Sequence, residues 1–288
     1  MSGSIAWRRA RREIRNFLFR AGLLKLPEPA LDDVDVVIVS YPKSGRTWLR
    51  VLIGRAILSV HDLPEDRLLK TPFLTSSANL RTTVFTHDGS DFPPEIDYRR
   101  LRADKSKYAG KTVIFLYRDP RDVLVSAWHH AVYRKNSFDG SISKFVRSNR
   151  LGIRKVARFY RDWREAMNRH SDFHFLTYRW LTHDTVGQLE RLMPVIGLPP
   201  EKIDLDDVVK ASSFERMREM ETSPHAPLLG QGLSSRRDAD PRSYKTRLGQ
   251  VGSYRRHLGK SDLEFVDRVM RENGNPFQDM LDPLRARS

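Results

Sequence analysis

One stretch of the chain combines side chains that could hold a phosphate group. Residues 41–49 read YPKSGRTWL and lie between two apolar runs. Where a buried parallel strand turns directly into a helix, backbone N–H groups and the positive end of the helix dipole point at one spot, and this arrangement binds anions. Lys43 adds a charge, and Gly45 lets a ligand approach the backbone. We interpret the stretch as a phosphate-binding loop; the alternative is an ordinary connection whose lysine faces solvent.

This loop differs from the loop of nucleoside triphosphatases. That loop has a glycine, four further residues and then Gly-Lys-Ser/Thr, and it works with an acidic residue that holds magnesium after a second strand. Here Lys43 precedes the glycine, and the apolar run VIFLY leads to Arg118 before Asp119. The pattern therefore favours a second phosphate near Arg118 over a metal ion. Ser126 follows Arg118 by about two helical turns, so both side chains can face the same crevice.

Three signatures together resemble those of the cytosolic-type sulfotransferases, which use 3′-phosphoadenosine 5′-phosphosulfate (PAPS) as the sulfonate donor. YPKSGRTWL resembles their phosphosulfate-binding loop, FLYRDPRDVLVSAWHH their 3′-phosphate signature, and RLGQVGSYRRHL at 247–258 their signature near the C-terminus. The resemblance extends over about residues 34–272. It implies an α/β fold with a P-loop-like parallel β-sheet flanked by helices, PAPS-dependent transferase activity and the product adenosine 3′,5′-bisphosphate (PAP).

The resemblance also implies which residues bind the nucleotide. The first loop would cradle the 5′-phosphosulfate, Arg118 and Ser126 would hold the 3′-phosphate, and Tyr178 and Phe214 would contact the adenine. Without the family pattern, Ser126 would be an ordinary helix serine and the two aromatics ordinary core. The expected cofactor-binding residues are Lys43, Ser44, Gly45, Arg46, Thr47, Trp48, Arg118, Ser126, Tyr178, Phe214, Arg247, Leu248 and Gly249, with Gly252 also matching the third signature.

His87 lies where the family has its catalytic base. A lone histidine after a strand is more often structural, and it is the matching position that favours catalysis. An imidazole can accept the proton of an acceptor hydroxyl or amine because its pKa is near neutrality. With Lys43 as the second catalytic residue, the implied reaction is in-line attack of the acceptor on sulfur. It needs no metal and no covalent enzyme intermediate, and we predict no metal site.

The chain departs from the family pattern in ways that concern charge. The family often has a lysine two residues before the histidine, where this chain has Phe85. Arg46 stands where the family usually has a threonine, so it either supplies the missing charge or is a surface arginine. In the third signature, Leu248 replaces a lysine and Ser253-Tyr254 replace Asp-Trp.

These residues need a parallel sheet to bring them together, and the alternation of apolar runs predicts one. Strands are expected at 34–41, 84–86, 112–117 and 173–178. Helices are expected at 47–60, 120–134, 153–170, 184–196, 204–210 and 213–220. A single sulfotransferase domain is expected over 31–288, with a mobile loop at 222–245, where proline, glycine, serine and arginine are frequent.

The N-terminal part, 1–30, predicts a basic amphipathic helix, because residues 5–24 set arginines beside an apolar stripe. We favour a helix that packs on the domain; the alternative is a helix that lies on an anionic membrane. The chain has no cysteine and no apolar run of the roughly 18 residues that a membrane span needs. We therefore expect a cytoplasmic protein, with the inner face of the membrane as its candidate contact.

The net charge of +15 indicates anionic partners. Two other function classes stay open: a P-loop kinase of small molecules, which would need magnesium and a nucleoside triphosphate, and a basic nucleic-acid-binding protein. We expect no nucleic-acid partner, because no recognisable reading module occurs. The acceptor is expected to be a small molecule, a sugar or a lipid, and the sequence indicates neither its identity nor the oligomeric state.

Overall fold

Four parallel strands form the centre of the protein, which a computed structural model describes over residues 29–91, 96–223, 241–246 and 249–281. The strands lie in the order β2-β1-β3-β4. Their bounds are Val36–Ser40 for β1, Thr83–Thr86 for β2, Thr112–Tyr117 for β3 and Phe173–Thr177 for β4. The predicted α/β fold with a parallel sheet is therefore confirmed.

The two central strands are apolar throughout because both of their faces are covered. Every residue of β1 and β3 is buried, as expected for inner strands of a parallel sheet. β1 pairs with β3 from Val36 opposite Thr112 to Ser40 opposite Leu116. This register brings the carboxyl ends of the strands to one edge of the sheet, where the residues that follow each strand meet.

Helices pack on both faces of the sheet. Their bounds are Arg46–Leu58 (α1), Thr71–Ser77 (α2), Pro120–His129 (α3), Ile142–Arg147 (α4), Ile153–Met167 (α5), Tyr178–His183 (α6), Thr185–Leu192 (α7), Leu205–Ala211 (α8), Phe214–Thr222 (α9) and Lys260–Glu272 (α10). One buried cluster joins one sheet face to α1, α7 and α8, and a second joins the other face to α3, α5 and α10. α1 and α3 thus leave neighbouring strands towards opposite faces.

The structure differs from the sequence prediction at the end of the helix expected over 120–134. The α-helix ends at His129, and the chain continues as a π-helix over His130–Arg134. The wider π turn changes the direction of the side chains that follow it. Such turns often occur at functional sites, and this one lies beside the cleft described below.

A second difference concerns Tyr178. The sequence predicts it as the last residue of a strand, but it is the first residue of α6. The helix begins there because the Thr177 hydroxyl accepts a hydrogen bond of 3.0 Å from the Trp180 N–H, an N-cap contact. Short helices at 71–77, 142–147 and 178–183, and the longer one at 260–272, are also absent from the prediction.

Two predicted features lie mostly outside the described residues. They are the amphipathic helix of 1–30 and the mobile loop of 222–245, of which only the two ends are described. At those ends, α9 extends to Thr222 and a 3-10 turn covers Pro241–Ser243. Within the described ranges, no helix combines the length and the apolar character needed to cross a membrane.

Candidate functional site

A cleft of about 750 Å³ opens at the edge where the strands end. Since α1 and α3 leave the neighbouring strands β1 and β3 towards opposite faces, a crevice forms between them, which is where open parallel sheets bind ligands. Most residues predicted for the site line this cleft. They are Lys43, Gly45, Arg46, Thr47, Trp48, His87, Arg118, Ser126, Tyr178, Phe214 and Gly249.

The loop between β1 and α1 has an unusual backbone. Lys43 has a φ of 73° and Gly45 a φ of 101°, so two residues of the turn are left-handed. For a lysine this conformation is strained, by about 1 kcal/mol or more, and such strain is common at functional sites. Ser44, also predicted to bind the nucleotide, is fully buried beneath the loop rather than on the cleft wall.

The beginning of α1 is arranged for an anion. Gly45 is the N-cap and offers no side-chain cap, and the first turn contains no acidic residue. The first N–H groups of a helix have no partner within the helix, and the dipole places a partial positive charge there. A phosphate at this position would satisfy those donors.

Arg118 joins the first loop to the second signature. Its Nη1 donates a hydrogen bond of 2.9 Å to the Lys43 carbonyl oxygen, and its guanidinium lies 4.3 Å from the centre of the Tyr178 ring. A Cβ at Gly45 would lie 2.5 Å from the same ring, so only glycine fits there. The Nε of Arg118 is buried and has no hydrogen-bond partner among the described residues, and the Arg118 side chain lines the cleft.

Three aromatic rings form one side of the cleft. The Trp48 and Tyr178 rings meet edge to face, with centroids 6.0 Å apart. The Trp48 Nε1 donates to the Ser212 carbonyl oxygen at 3.0 Å, which fixes the indole. Phe214 begins α9 two residues later, and Gly249 packs so closely that a Cβ would lie 2.9 Å from the Phe214 ring. Rings in this arrangement can bind a nucleobase.

His87 follows β2 and is held by one strong contact. Its Nδ1 lies 2.7 Å from the Ser40 carbonyl oxygen at the end of β1. A carbonyl oxygen can only accept, so Nδ1 carries the proton and Nε2 is the basic nitrogen. Burial and the neighbouring Arg46 lower the pKa of His87 well below its usual value, although the bond to Ser40 opposes them. The imidazole is therefore neutral at pH 7.

The residues after His87 are fixed by a buried carboxylate. Asp88 forms ion pairs with Lys105 at 2.7 Å and Lys107 at 2.8 Å and accepts a hydrogen bond of 2.9 Å from the Tyr108 hydroxyl. Ser90 donates from its N–H and its hydroxyl to the His87 carbonyl oxygen. This network holds the backbone of His87 in place, so the imidazole has a defined position.

Positive charge is concentrated in the cleft. Burial, with Lys245, Arg134 and Arg118 nearby, lowers the pKa of Lys43 to about 7, while Glu221 opposes the shift. Burial, with Arg134 and Arg46 nearby, lowers the pKa of Lys245 to about 7 as well. These amines are thus partly neutral at pH 7 in the free protein, and an anion would favour their charged forms.

A fully buried carboxylate organises the segment that carries Lys245. Glu221 pairs with Arg134 at 3.1 Å and accepts hydrogen bonds from the N–H groups of Lys245 at 2.7 Å and Thr246 at 2.9 Å, as well as from the Thr246 hydroxyl. The end of α9, the π-helix and residues 245–246 are therefore tied together at one point.

The third signature is tied to the second in the same way. Asp122, in the first turn of α3, accepts from the Gly252 N–H at 2.7 Å, the Tyr254 N–H at 3.1 Å and the Ser253 hydroxyl at 3.2 Å. Gly249 and Gly252 have φ values of 63° and 78°. Arg247 and Leu248, predicted to bind the nucleotide, lie outside the described residues.

Several residues that line the cleft were not predicted from the sequence, among them Arg50, His130, Arg134 and Lys245. Helical spacing could have found most of them. His130 and Arg134 follow Ser126 at steps of four, and Arg50 follows Arg46 at the same step, so each lies on the face of a residue that was predicted. The buried carboxylates Asp122 and Glu221 had no such signal, because their partners lie far away in the sequence.

Comparison with known proteins gives a consistent result. Residues 33–278 match the family model described as the sulfotransferase domain. Amine sulfotransferase of Oryctolagus cuniculus is 24% identical over 271 residues, which cover 88% of this chain and 85% of the relative. Sulfotransferase 2A1 of Rattus norvegicus is 28% identical over 269 residues, which cover 83% of this chain and 84% of the relative.

A solved structure shares the fold. The crystal structure of mouse sulfotransferase SULT7A1 complexed with PAP aligns with a TM-score of 0.58 at 19% identity and covers 85% of this chain and 86% of that one. At this level of identity the similarity concerns the fold, and the neighbour's ligand is a property of that protein.

Proposed function

This chain belongs to the sulfotransferase domain family and is a sulfotransferase, and we propose that it transfers a sulfonate group from PAPS to a hydroxyl or amine of a small acceptor, with His87 as the base. One observation carries the proposal. His87, with its Nδ1 proton directed at Ser40, lines the same cleft as Lys43 and Arg118. A histidine that can act as a base and two cations that can bind phosphate thus line one cleft.

The residues of the cleft fit such a donor. Lys43 and the first turn of α1 suit the 5′-phosphosulfate, and the Arg118 guanidinium, which lines the cleft, suits the 3′-phosphate. Ser126 lies on the same wall. The rings of Trp48, Tyr178 and Phe214 suit the adenine. The donor supplies a sulfonate group joined to a phosphate leaving group.

In this proposal the protein moves one proton and stabilises one developing charge. His87 Nε2 accepts the proton from the acceptor hydroxyl as the oxygen forms its bond to sulfur. Lys43 and the N–H groups of the loop stabilise the negative charge on the phosphate oxygen as its bond to sulfur breaks. The products are the sulfated acceptor and PAP, with the proton on His87.

The neutral state of His87 supports its role as the base. Because its pKa is low in the free protein, the imidazole is ready to accept a proton at pH 7. The negative charge of the bound donor would offset the positive charge of Arg46. The pKa of His87 would therefore be higher in the complex than in the free protein. The base would thus be strengthened only in the complex that needs it.

A transfer assay tests the proposal. Labelled PAPS is incubated with the protein and a broad acceptor panel, and sulfated products are detected by mass spectrometry. We expect His87→Ala to lose about a hundredfold or more of the turnover while PAP affinity changes less than threefold. His61→Ala is the matched control, since His61 lies after α1 and outside the cleft lining.

The assay also separates the proposal from its rivals. Near wild-type turnover in His87→Ala would contradict the base assignment. Stabilisation by magnesium and ATP, with none by PAP, would contradict PAPS as the donor.

A further inference from the structure

More cations line the cleft than the phosphates of the donor require. The described part of the lining has seven basic side chains, Lys43, Arg46, Arg50, Arg118, Arg134, Lys135 and Lys245, and one acidic side chain, that of Asp91; Arg134 is also paired with the buried Glu221. Lys43 and Arg118 are assigned to the two ends of the donor above. Arg46, in the first turn of α1, adjoins the phosphosulfate site, and Arg50 lies one turn further along the helix. Both are close enough to His87 to lower its pKa.

The strand order locates this second group of cations. Arg118 follows β3, whereas His87 follows β2, and β1 lies between the two strands. Neighbouring strands are roughly 4.8 Å apart, so the β2 edge is about 10 Å from the end of β3. Arg50, which contacts Phe85 of β2, therefore lies on the side of the cleft where an acceptor must bring its hydroxyl to His87.

Arg46 and Arg50 are placed against the rules of helix stability. They lie four residues apart at the start of α1, and the first turn has no acidic residue. Like charges at this spacing repel, and cations near a helix N-terminus oppose the helix dipole. Asp91, which is exposed, is close enough to Arg46 to oppose the lowering of its pKa. An anionic ligand beside the two guanidinium groups would reduce their mutual repulsion.

Arg50 is held in position by an aromatic ring. Its guanidinium lies 4.7 Å from the centre of the Phe85 ring, a cation–π contact. Phe85 is two residues before His87, so this contact keeps Arg50 next to the base. Arg46 and Arg50 both lower the pKa of His87, which agrees with their proximity.

Lys245, which is outside α1, lines the same cleft as Arg46 and Arg50. Arg46 and Arg50 both contribute to the low pKa of its amine, so the three cations are close enough to repel. An anion between them would contact charges from α1 and from the segment that Glu221 holds. The donor's sulfonate can occupy one part of this space, and the contact of Arg50 with the Phe85 ring holds its guanidinium beside the β2 side of the cleft.

We propose that the acceptor is an alcohol or phenol that carries an anionic group, a phosphate, sulfate or carboxylate, and that Arg50 binds this group beside His87. The inference rests on the proposed function, because it takes His87 as the position of the acceptor hydroxyl. If the extra cations served the donor alone, the loss of Arg50 would affect neutral and anionic acceptors equally.

Matched phenols test the inference on the complex of the protein with PAP. The probes are hydroquinone monophosphate, para-hydroxybenzoate, para-cresol and tyramine, which differ in the charge opposite the hydroxyl. Calorimetry gives the Kd of each probe. We expect the two anions to bind about tenfold or more tightly than para-cresol, and tyramine to bind most weakly.

Variants of one helix assign the preference to Arg50. Arg50→Met should reduce the advantage of the anions to less than threefold and leave the Kd of PAP within about threefold of wild type. Arg50→Lys should restore part of the advantage, because it keeps the charge but loses the planar fork. The control is Arg55→Met, since Arg55 lies on the same helix, pairs with Glu65 at 2.9 Å and is not part of the cleft lining.

Each result has a defined meaning. If para-cresol binds as tightly as the anions, or if Arg50→Met weakens all four probes alike, the inference is wrong and the proposed function stands. If PAP itself does not bind, the proposed function is wrong and the inference falls with it.

Discussion

The low pKa values of the individual residues Lys43 and Lys245 make the site sensitive to pH. Both amines have pKa values of about 7 in the free folded protein, against 10.5 for an ordinary lysine. Between about pH 7 and 10.5 the folded state therefore binds fewer protons than the unfolded state, and the stability of the free protein rises with pH across this window. A bound anion favours the charged amines and reverses the effect.

We therefore expect the stabilisation by PAP to decrease as the pH rises. The measurement is the Tm with and without PAP between about pH 6.5 and 9. Lys43→Met and Lys245→Met should each flatten the dependence, whereas Lys260→Met, at an exposed position of α10, should not. A shift in Tm that stays constant across this range would contradict the low pKa values.

Arg46 is the second residue whose role can be measured. Burial and Arg50 lower its pKa to about 10, and it lines the cleft, which favours a role in the site over that of a solvated surface charge. Loss of a charged donor to a developing negative charge costs on the order of 3 kcal/mol, about a hundredfold in rate. Loss of a surface charge costs well under about 1 kcal/mol and is screened by salt.

Arg46→Thr should accordingly lower turnover by about a hundredfold at saturating donor, at both low and high salt. Arg55→Thr on the same helix provides the comparison, since its ion pair with Glu65 is at the surface. A decrease in turnover of less than threefold for Arg46→Thr would show that Arg46 is a solvated surface arginine with no role in the reaction.

Among the secondary-structure elements, the strands are predicted well from the sequence, because each strand is a continuous apolar run of neighbouring residues. β3 has the predicted bounds, and the residues that follow the strands, Lys43, His87 and Arg118, are brought into one cleft. The remaining features depend on contacts between distant residues. The π-helix, the beginning of α6 at Tyr178 and the two buried carboxylates follow from tertiary packing, which no local pattern contains.

Glu221 gives an element-scale prediction, because it connects α9, the π-helix and residues 245–246. Removal of its carboxylate leaves Arg134 and two backbone N–H groups without this acceptor, and breaking a buried pair in this way costs about 3–5 kcal/mol. Glu221→Ala should weaken PAP binding at least tenfold and increase hydrogen exchange in 241–246.

Two comparisons keep this test informative. Glu221→Gln retains an acceptor oxygen and should give a smaller loss, which guards against a variant that simply fails to fold. Glu219→Ala removes an exposed acidic residue of the same helix, paired only with Arg216 in its described contacts, and should have no effect. Unchanged PAP affinity in Glu221→Ala would show that the contact does not serve the nucleotide site.

For the molecule as a whole, the net charge of +15 exceeds the positive charge that lines the cleft. Part of the remainder comes from the arginines of residues 5–24, where the sequence predicts a helix. The favoured interpretation is that this helix packs on the domain. A chain of residues 29–288 should then have a Tm several degrees lower than the full chain and should sediment equally with anionic vesicles. Membrane contact would instead be supported if the shorter chain kept its Tm but no longer sedimented with anionic vesicles, while neither chain sedimented with neutral vesicles.

The contact between Arg50 and Phe85 has a consequence for how such a site can change during evolution. The resemblance described above implies that related enzymes often carry a lysine at the position of Phe85, whereas here a cation from α1 lies against the Phe85 ring. Phe85→Lys alone would set two cations against each other and remove the platform of Arg50, while a change at Arg50 alone would leave no cation at that place. The two positions are therefore epistatic: each residue is favourable only in the background of the other. We therefore expect that no single neutral substitution would restore a lysine at position 85, because each of the two changes alone is unfavourable.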